Sequence, residues 1–251
     1  MPFFNHIKSN DFDELTAKVR DWELDLTLLE PGAFQGQILQ FAVNGVLFSE
    51  GISNKNIIQQ GGLPPNTRSL LFGEYPQAKF RWRGQDLTGN HVMTLPGAAD
   101  FHKTVPSNVK TFNLVFSNEY LASLASELGV PEPEEIFLQN DAFRCDSQFL
   151  STIIADVKQL SAVLKVTPEK IHDKRVQQMI SRELPMRFLR LLSRGRTVRV
   201  TASGTKRARA LRLAESFLDS AEPEDMTVQS LVGATEVTQR TLQYVFRDAF
   251  G

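Results

Sequence analysis

The chain has 251 residues, with 28 Lys or Arg against 29 Asp or Glu, one cysteine and 41% apolar residues, the make-up of a globular protein of one or two domains. Cys145 on its own excludes an intrachain disulfide and fits a reducing compartment, so the expected location is the cytoplasm. The opening Met1-Pro2-Phe3-Phe4-Asn5-His6 has no basic stretch leading into an apolar one, and no run reaches the ~18 apolar residues of a membrane span, so neither secretion nor a membrane partner is expected.

In chain order, Glu23 to about Ser117 reads as short apolar runs separated by turn residues. Phe34 to Val43 and Val46 to Phe48 flank Asn44-Gly45, a strong hairpin signal because both residues tolerate positive φ. Further strands are expected at Thr67 to Phe72, Lys79 to Trp82, His91 to Leu95 and Val109 to Phe116, with Gly61-Gly62, Pro64-Pro65, Gly84 and Pro96-Gly97 as punctuation. This spacing predicts an antiparallel β sandwich or barrel.

Beyond Ser117 the period becomes helical. Ser117 caps a helix through Leu121, Leu124, Ala125 and Leu128, stopped by Gly129. A second helix over 147–164 aligns Phe149, Ile153, Ile154, Val157, Leu160 and Leu164, and a third runs from about Pro168 to Leu192 with a kink at Pro185. The fold class is thus α+β: a β-rich part (1–117) and a helical part (118–192) form one sensing and dimerising domain, followed by a basic linker (193–204). The last segment, 205–251, holds one helix to about Ser220 and then two short amphipathic helices capped by Thr227 and Thr238, which make a helix-turn-helix.

Residues 182–212 hold ten Arg or Lys and one acid, Glu183, so this window carries +9 in a chain of net charge −1. Such a block points to an anionic partner. The exposed face of the second C-terminal helix presents Gln239, Arg240, Gln243, Tyr244 and Arg247, with Thr238 at its positive end. Arg can pair with guanine and Gln with adenine, and a capped helix N-terminus suits a phosphate, so these six are the candidate DNA contacts.

The run Thr227 to Gly251 resembles the first helix-turn-helix of the AraC/XylS family of transcription regulators, with Val237, Thr238, Leu242, Phe246 and Gly251 at the family's positions. It departs at Glu236, where the family commonly has Gly, and at Val232, where a small Ala is usual. The resemblance implies a promoter-binding regulator, more often an activator, that works as a homodimer and can contact RNA polymerase. Two such units joined by a helix are the family's pattern, so a chain stopping at Gly251 is expected to be truncated and to bind DNA weakly. Stretches from Trp22 to Gly36 and around Leu95-Pro96-Gly97 resemble the family's sensor domains.

Arg190-Leu191-Leu192-Ser193-Arg194 matches the Arg-x-x-x-Arg motif of PilZ domains, which implies cyclic di-GMP as effector, gripped by Arg190, Arg194, Arg196, Arg199 and Arg187. Guanidinium groups pair with phosphates and stack on purines, and a dianion here could set the geometry between the sensing and DNA-binding parts. The companion PilZ element, Asp or Asn followed by x-Ser-x-x-Gly, does not occur. The alternative is a small metabolite inside the β domain, lined by Phe34, Phe72, Phe80 and Trp82, with the arginines on DNA phosphates. A module that uses the 147–192 helices to bind another protein is a third reading. No metal site, cofactor or catalytic residue is expected: His6, His91, His102 and His172 lack ligand spacing, and no nucleophile elbow or Walker loop occurs.

Overall fold

The computed structural model describes residues 2–19, 23–74, 80–82, 85–97, 100–137, 142–198 and 202–250. Its elements, in chain order, are β1 (Phe3–Ser9), α1 (Phe12–Ala17), β2 (Glu23–Leu28), β3 (Gly36–Val43), β4 (Val46–Ser53), β5 (Ile57–Gly62), β6 (Thr67–Glu74), β7 (Phe80–Trp82), β8 (Gln85–Leu87), β9 (His91–Pro96), β10 (Asp100–Val105) and β11 (Lys110–Ser117). There follow α2 (Asn118–Leu128), α3 (Pro133–Phe137), β12 (Ala142–Arg144), α4 (Ser147–Val166), α5 (Lys174–Gln178), α6 (Leu184–Ser193), β13 (Arg196–Val198), α7 (Ala202–Ser220), α8 (Val228–Thr235) and α9 (Gln239–Phe250).

The strands form an eight-stranded sheet ordered β1-β3-β4-β11-β6-β9-β12-β13 and a five-stranded sheet ordered β2-β5-β10-β7-β8. Successive side chains of a strand point to opposite faces, and the large sheet uses both. Leu70, Phe72, Val92, Phe112, Leu114 and Phe143 join the helices in one core, while Leu71, Met93, Val115 and Ala142 join Trp82 and Leu87 in a second core that spans both sheets. The large sheet is therefore the middle layer, with the small sheet on one face and α2, α3, α4 and α6 on the other. Phe72 against Phe188, with ring centroids 4.8 Å apart, ties α6 to that middle layer.

Every expected strand run appears, and the Asn44-Gly45 hairpin has its positive φ at both residues, +48° and +81°. Strands β1, β5, β8, β10, β12 and β13 and helix α1, which lies inside the segment expected to be β-rich, come in addition. Gly61-Gly62, expected as a turn, is the end of β5, with both residues paired to β2 and β10.

Within the expected linker 193–204, residues 196–198 form β13, an edge strand laddered onto β12, and α7 begins at Ala202; residues 199–201 lie outside the described residues. Gly195 makes the approach possible, because a Cβ there would lie 3.3 Å from the carbonyl oxygen of Leu192.

The third long helix is segmented. A 3-10 turn (Pro168–His172) precedes α5, whose cap Asp173 accepts from the Arg175 N–H, and a π turn (Met179–Glu183) precedes α6. Pro185 has no N–H to offer the Ser181 carbonyl four residues back, and the Tyr120 hydroxyl of α2 donates to that carbonyl instead. The apolar stripes of α4 and α6 are spent inside the core: Leu150, Ile153, Val157, Leu164, Leu184, Phe188 and Leu192 are buried. These apolar stripes therefore face the core.

Among the described residues of 202–250, Ala210, Leu211 and Val245 form an apolar cluster of their own with Val237 against it. Among the described residues no helix is long and apolar enough to cross a membrane.

Candidate nucleic-acid interface

Two threonines define the helix pair at the C-terminal end. Thr227 Oγ1 accepts from the Ser230 N–H at 3.1 Å, which caps α8, and Thr238 Oγ1 accepts from the Thr241 N–H at 3.2 Å, which caps α9. Between them the chain turns through Glu236 in the left-handed region, φ +54°. That conformation suits glycine, the residue the resembled pattern has there; here the Glu236 carboxylate lies 3.5 Å from the Arg209 guanidinium of α7. Leu242 and Val245 of α9 are buried, which fixes the helix's rotation and turns its opposite side to solvent.

That outer side carries all six residues expected to contact DNA. Thr238, Gln239, Arg240, Gln243, Tyr244 and Arg247 line one open groove of about 690 Å³, with no acidic residue among them. Tyr244 sits between two guanidiniums: Arg240 is 5.8 Å and Arg247 4.8 Å from its ring centroid. The arrangement presents two cations, two amides and a phenol along one helix. Gly251, the closing residue of the resembled motif, and Trp22 lie outside the described residues.

The arginine block is only partly a cluster. Arg187, expected among the effector ligands, pairs with Asp156 of α4, donates to Thr152 Oγ1 at 3.1 Å and lies over the Phe149 ring. Arg190 is exposed in the last turn of α6, and Arg194 is the residue that caps that helix. Arg196 is exposed on β13 and stands directly opposite Arg144 of β12, which in turn stands opposite His91 of β9. Arg199 lies outside the described residues. The sequence reading missed Arg144 and the place of His91 beside it, because only strand register brings residues 91, 144 and 196 together. His91 Nδ1 lies 3.1 Å from the Thr88 carbonyl oxygen, and burial, with the Arg144 charge adding to it, lowers the imidazole pKa. The His102 side chain lies outside the described residues.

The aromatic pocket expected in the β domain is also corrected. Phe34, Phe72 and Trp82 are buried in three different apolar clusters, and the Phe80 side chain lies outside the described residues. A different cavity, of about 70 Å³, lies between the sheets, lined by Gln40, Ser49, Glu50, Gln59, Lys103 and Asn113 among others. Glu50 Oε1 receives Lys165 Nζ at 2.7 Å, while Glu50 Oε2 and Asn113 Nδ2 are buried with no hydrogen-bond partner among the described residues. Burial pulls the Lys103 ammonium down to about 7. Cys145, by contrast, is driven up to about 12, first of all by burial, and is not a reactive thiol.

No family model matches the chain. Among solved structures, an apo point variant of ToxT from Vibrio cholerae strain SCE256 aligns over 87% of this chain and 76% of that one, at 9% identity and a TM-score of 0.36. ToxT from Vibrio cholerae O395 bound to (E)-4-(8-methylnaphthalen-1-yl)but-3-enoic acid aligns over 86% and 76%, at 11% identity and a TM-score of 0.30. The conserved protein of unknown function PA5104 from Pseudomonas aeruginosa PAO1 aligns over 38% of this chain and 54% of that one, at 16% identity and a TM-score of 0.24.

Proposed function

We propose that the chain is a DNA-binding transcription regulator, acting by binding rather than catalysis, whose α9 is the helix that enters the major groove. The observation that carries this reading is the single groove along α9 that gathers Thr238, Gln239, Arg240, Gln243, Tyr244 and Arg247 on the side opposite the buried Leu242 and Val245. A helix that packs by one face and offers Arg, Gln and Tyr along the other has the donors and acceptors for reading base edges, and its capped N-terminus suits a phosphate. In this reading 202–250 is the DNA-contacting unit, 2–198 the sensing and dimerising one, and activation of RNA polymerase at a promoter the outcome. The test is selection of duplexes from a random pool, followed by binding measurements with Arg240→Ala and Gln243→Ala. Loss of sequence preference in both variants is expected; enrichment of no sequence, or variants that keep the preference, would sink the reading.

For the effector, the reading takes cyclic di-GMP at Arg190, Arg194 and Arg196, supported by the absence of an acidic partner for any of the three among the described residues. Calorimetric titration with wild-type and Arg194→Ala chains tests it: binding lost in the variant is expected, and silence from the wild type overturns it. A second reading is favoured by the orphaned Glu50 Oε2 and Asn113 Nδ2 at one cavity wall. Buried polar atoms are normally satisfied, so this cavity would take a small molecule carrying both a donor and an acceptor. A Glu50→Gln variant that loses response to such a metabolite, while Arg194→Ala keeps it, would decide for the cavity.

A further inference from the structure

We infer that Arg144 is part of the anion site, and that it closes with Arg194 and Arg196 on a single phosphate group of a small nucleotide. The inference rests on the reading of the arginine cluster as the effector site and adds a residue that the local sequence does not connect to it. Arg144 ends β12, Arg196 begins β13, and the two are direct cross-strand partners. Residues so paired put their Cβ atoms ~5 Å apart on the same face of the sheet, and like charges there destabilise the ladder.

The turn that leads into β13 tightens the arrangement. Gly195 lies against β12: a Cβ on it would be in ordinary contact with the Phe143 Cβ, at 3.5 Å, and with the Arg144 carbonyl oxygen, at 3.6 Å. Arg194 and Arg196 therefore flank the point at which the chain crosses Arg144. Among the described residues none of the three makes an ion pair with a carboxylate, in contrast to Arg187 and Arg182, which are paired with Asp156 and Glu127. On the far side of Arg144 stands His91, whose lowered pKa leaves the positive charge on the guanidiniums.

Protection of the sheet edge does not account for this. A charge on an edge strand repels other strands, and Arg196 alone supplies it; Arg144 lies on the inner strand β12. Duplex DNA is also a poorer fit, because its phosphates are strung along a line, whereas cations stacked across two neighbouring strands converge on one anionic group. A guanidinium pair offers a phosphate parallel N–H donors, and binding would relieve the repulsion between the arginines.

The experiment is thermal melting and calorimetric titration of the whole chain as wild type, Arg144→Gln and Arg194→Ala, each with cyclic di-GMP, GTP and pyrophosphate, with duplex DNA binding measured for the same three chains. Arg144→Gln is expected to melt higher than wild type without ligand, by roughly 1–2 °C, and to lose at least tenfold in affinity for cyclic di-GMP. A nucleotide requirement shows as binding of cyclic di-GMP or GTP but not pyrophosphate, and equal binding of pyrophosphate overturns the nucleotide part of the assignment. If Arg194→Ala abolishes binding while Arg144→Gln binds as wild type, the cluster reading stands and the role of Arg144 is refuted. If the wild type binds none of the three, the cluster reading itself falls. A loss confined to duplex DNA in Arg144→Gln would also overturn the proposal and give this edge to the DNA backbone.

Discussion

The groove on α9 and the arginine edge of the large sheet bear the same charge but are assembled in opposite ways. On α9, one helix of twelve residues and its capping Thr238 supply every group, the 3.6-residue period does the positioning, and Leu242 and Val245 need only face inward. At the sheet edge, Arg144, Arg194 and Arg196 come from a strand, a helix cap and another strand, and their proximity depends on the pairing of β12 with β13. A site of the first kind can be damaged one side chain at a time. A site of the second kind fails together with the packing that holds its register.

The largest effect expected from that difference comes from Phe188→Ala. Phe188 is fully buried and packs at a tilt against the Phe72 ring, so its truncation costs ~3–5 kcal/mol, a large share of a typical domain's stability. Because α6 leads directly into Arg194 and β13, phosphate-ligand affinity should fall with it, while binding of α9 to DNA is preserved. Parallel loss of DNA affinity in the same melting range would show that the two regions share one cooperative unit and would break the comparison.

The buried cavity belongs with the non-local sites and is probed by pH. Lys103 has a usual pKa of 10.5 that burial lowers to about 7, so between these values the unfolded chain holds more protons than the folded one. Stability contributed by this group is therefore lowest below about pH 7 and rises as pH climbs toward 10. The unfolding free energy of the wild type, read from urea titrations, should rise over that window by an amount on the order of a few kcal/mol. In Lys103→Met this contribution should vanish; a wild-type profile that Lys103→Met leaves unchanged would assign the titration to other groups.

What the sequence discloses follows the same division. The caps at Ser117, Thr227 and Thr238, the left-handed stop at Gly129 and the Asn44-Gly45 turn are visible because each is written in a few adjacent residues. The six residues along α9 are visible for the same reason. Short strands were missed where composition misleads: β5 ends in Gly61-Gly62, and β12 and β13 have three residues each, too few for any period to show. Arg187 looked equivalent to Arg190 because only the packing of α4 against α6 brings Asp156 to it. The register that aligns His91, Arg144 and Arg196 spans more than a hundred residues of chain, and no local pattern encodes it.

Within the α9 groove the two arginines should separate. Arg240→Ala removes a candidate base contact and is expected to cost ~1–3 kcal/mol at the preferred site and to relax specificity at one base pair. Arg247→Ala should weaken binding evenly across sequences and reduce the salt slope by about one. Salt-dependent anisotropy titrations on a selected and an unrelated duplex would measure both; identical profiles for the two variants would mean that neither reads a base.

The smallest effect tests how self-contained the α9 face is. Thr238 Oγ1 holds the Thr241 N–H, and its backbone carbonyl takes the Leu242 N–H at 2.9 Å, so the hydroxyl satisfies one of the donors left open at the helix start. Thr238→Ala should cost ~1 kcal/mol, and Thr238→Ser should recover most of it, because the cap needs only the hydroxyl. Loss of the cap frays the first turn, where Gln239 and Arg240 stand, before it reaches Arg247 in the last. Affinity for the selected duplex should therefore fall more than affinity for an unrelated one, and amide exchange should quicken at Arg240 and Thr241 while Val245 is unchanged. Exchange that quickens equally along α9 would show that the helix is held by the threonine cap rather than by the burial of Leu242 and Val245, and that the face is less local than its spacing implies.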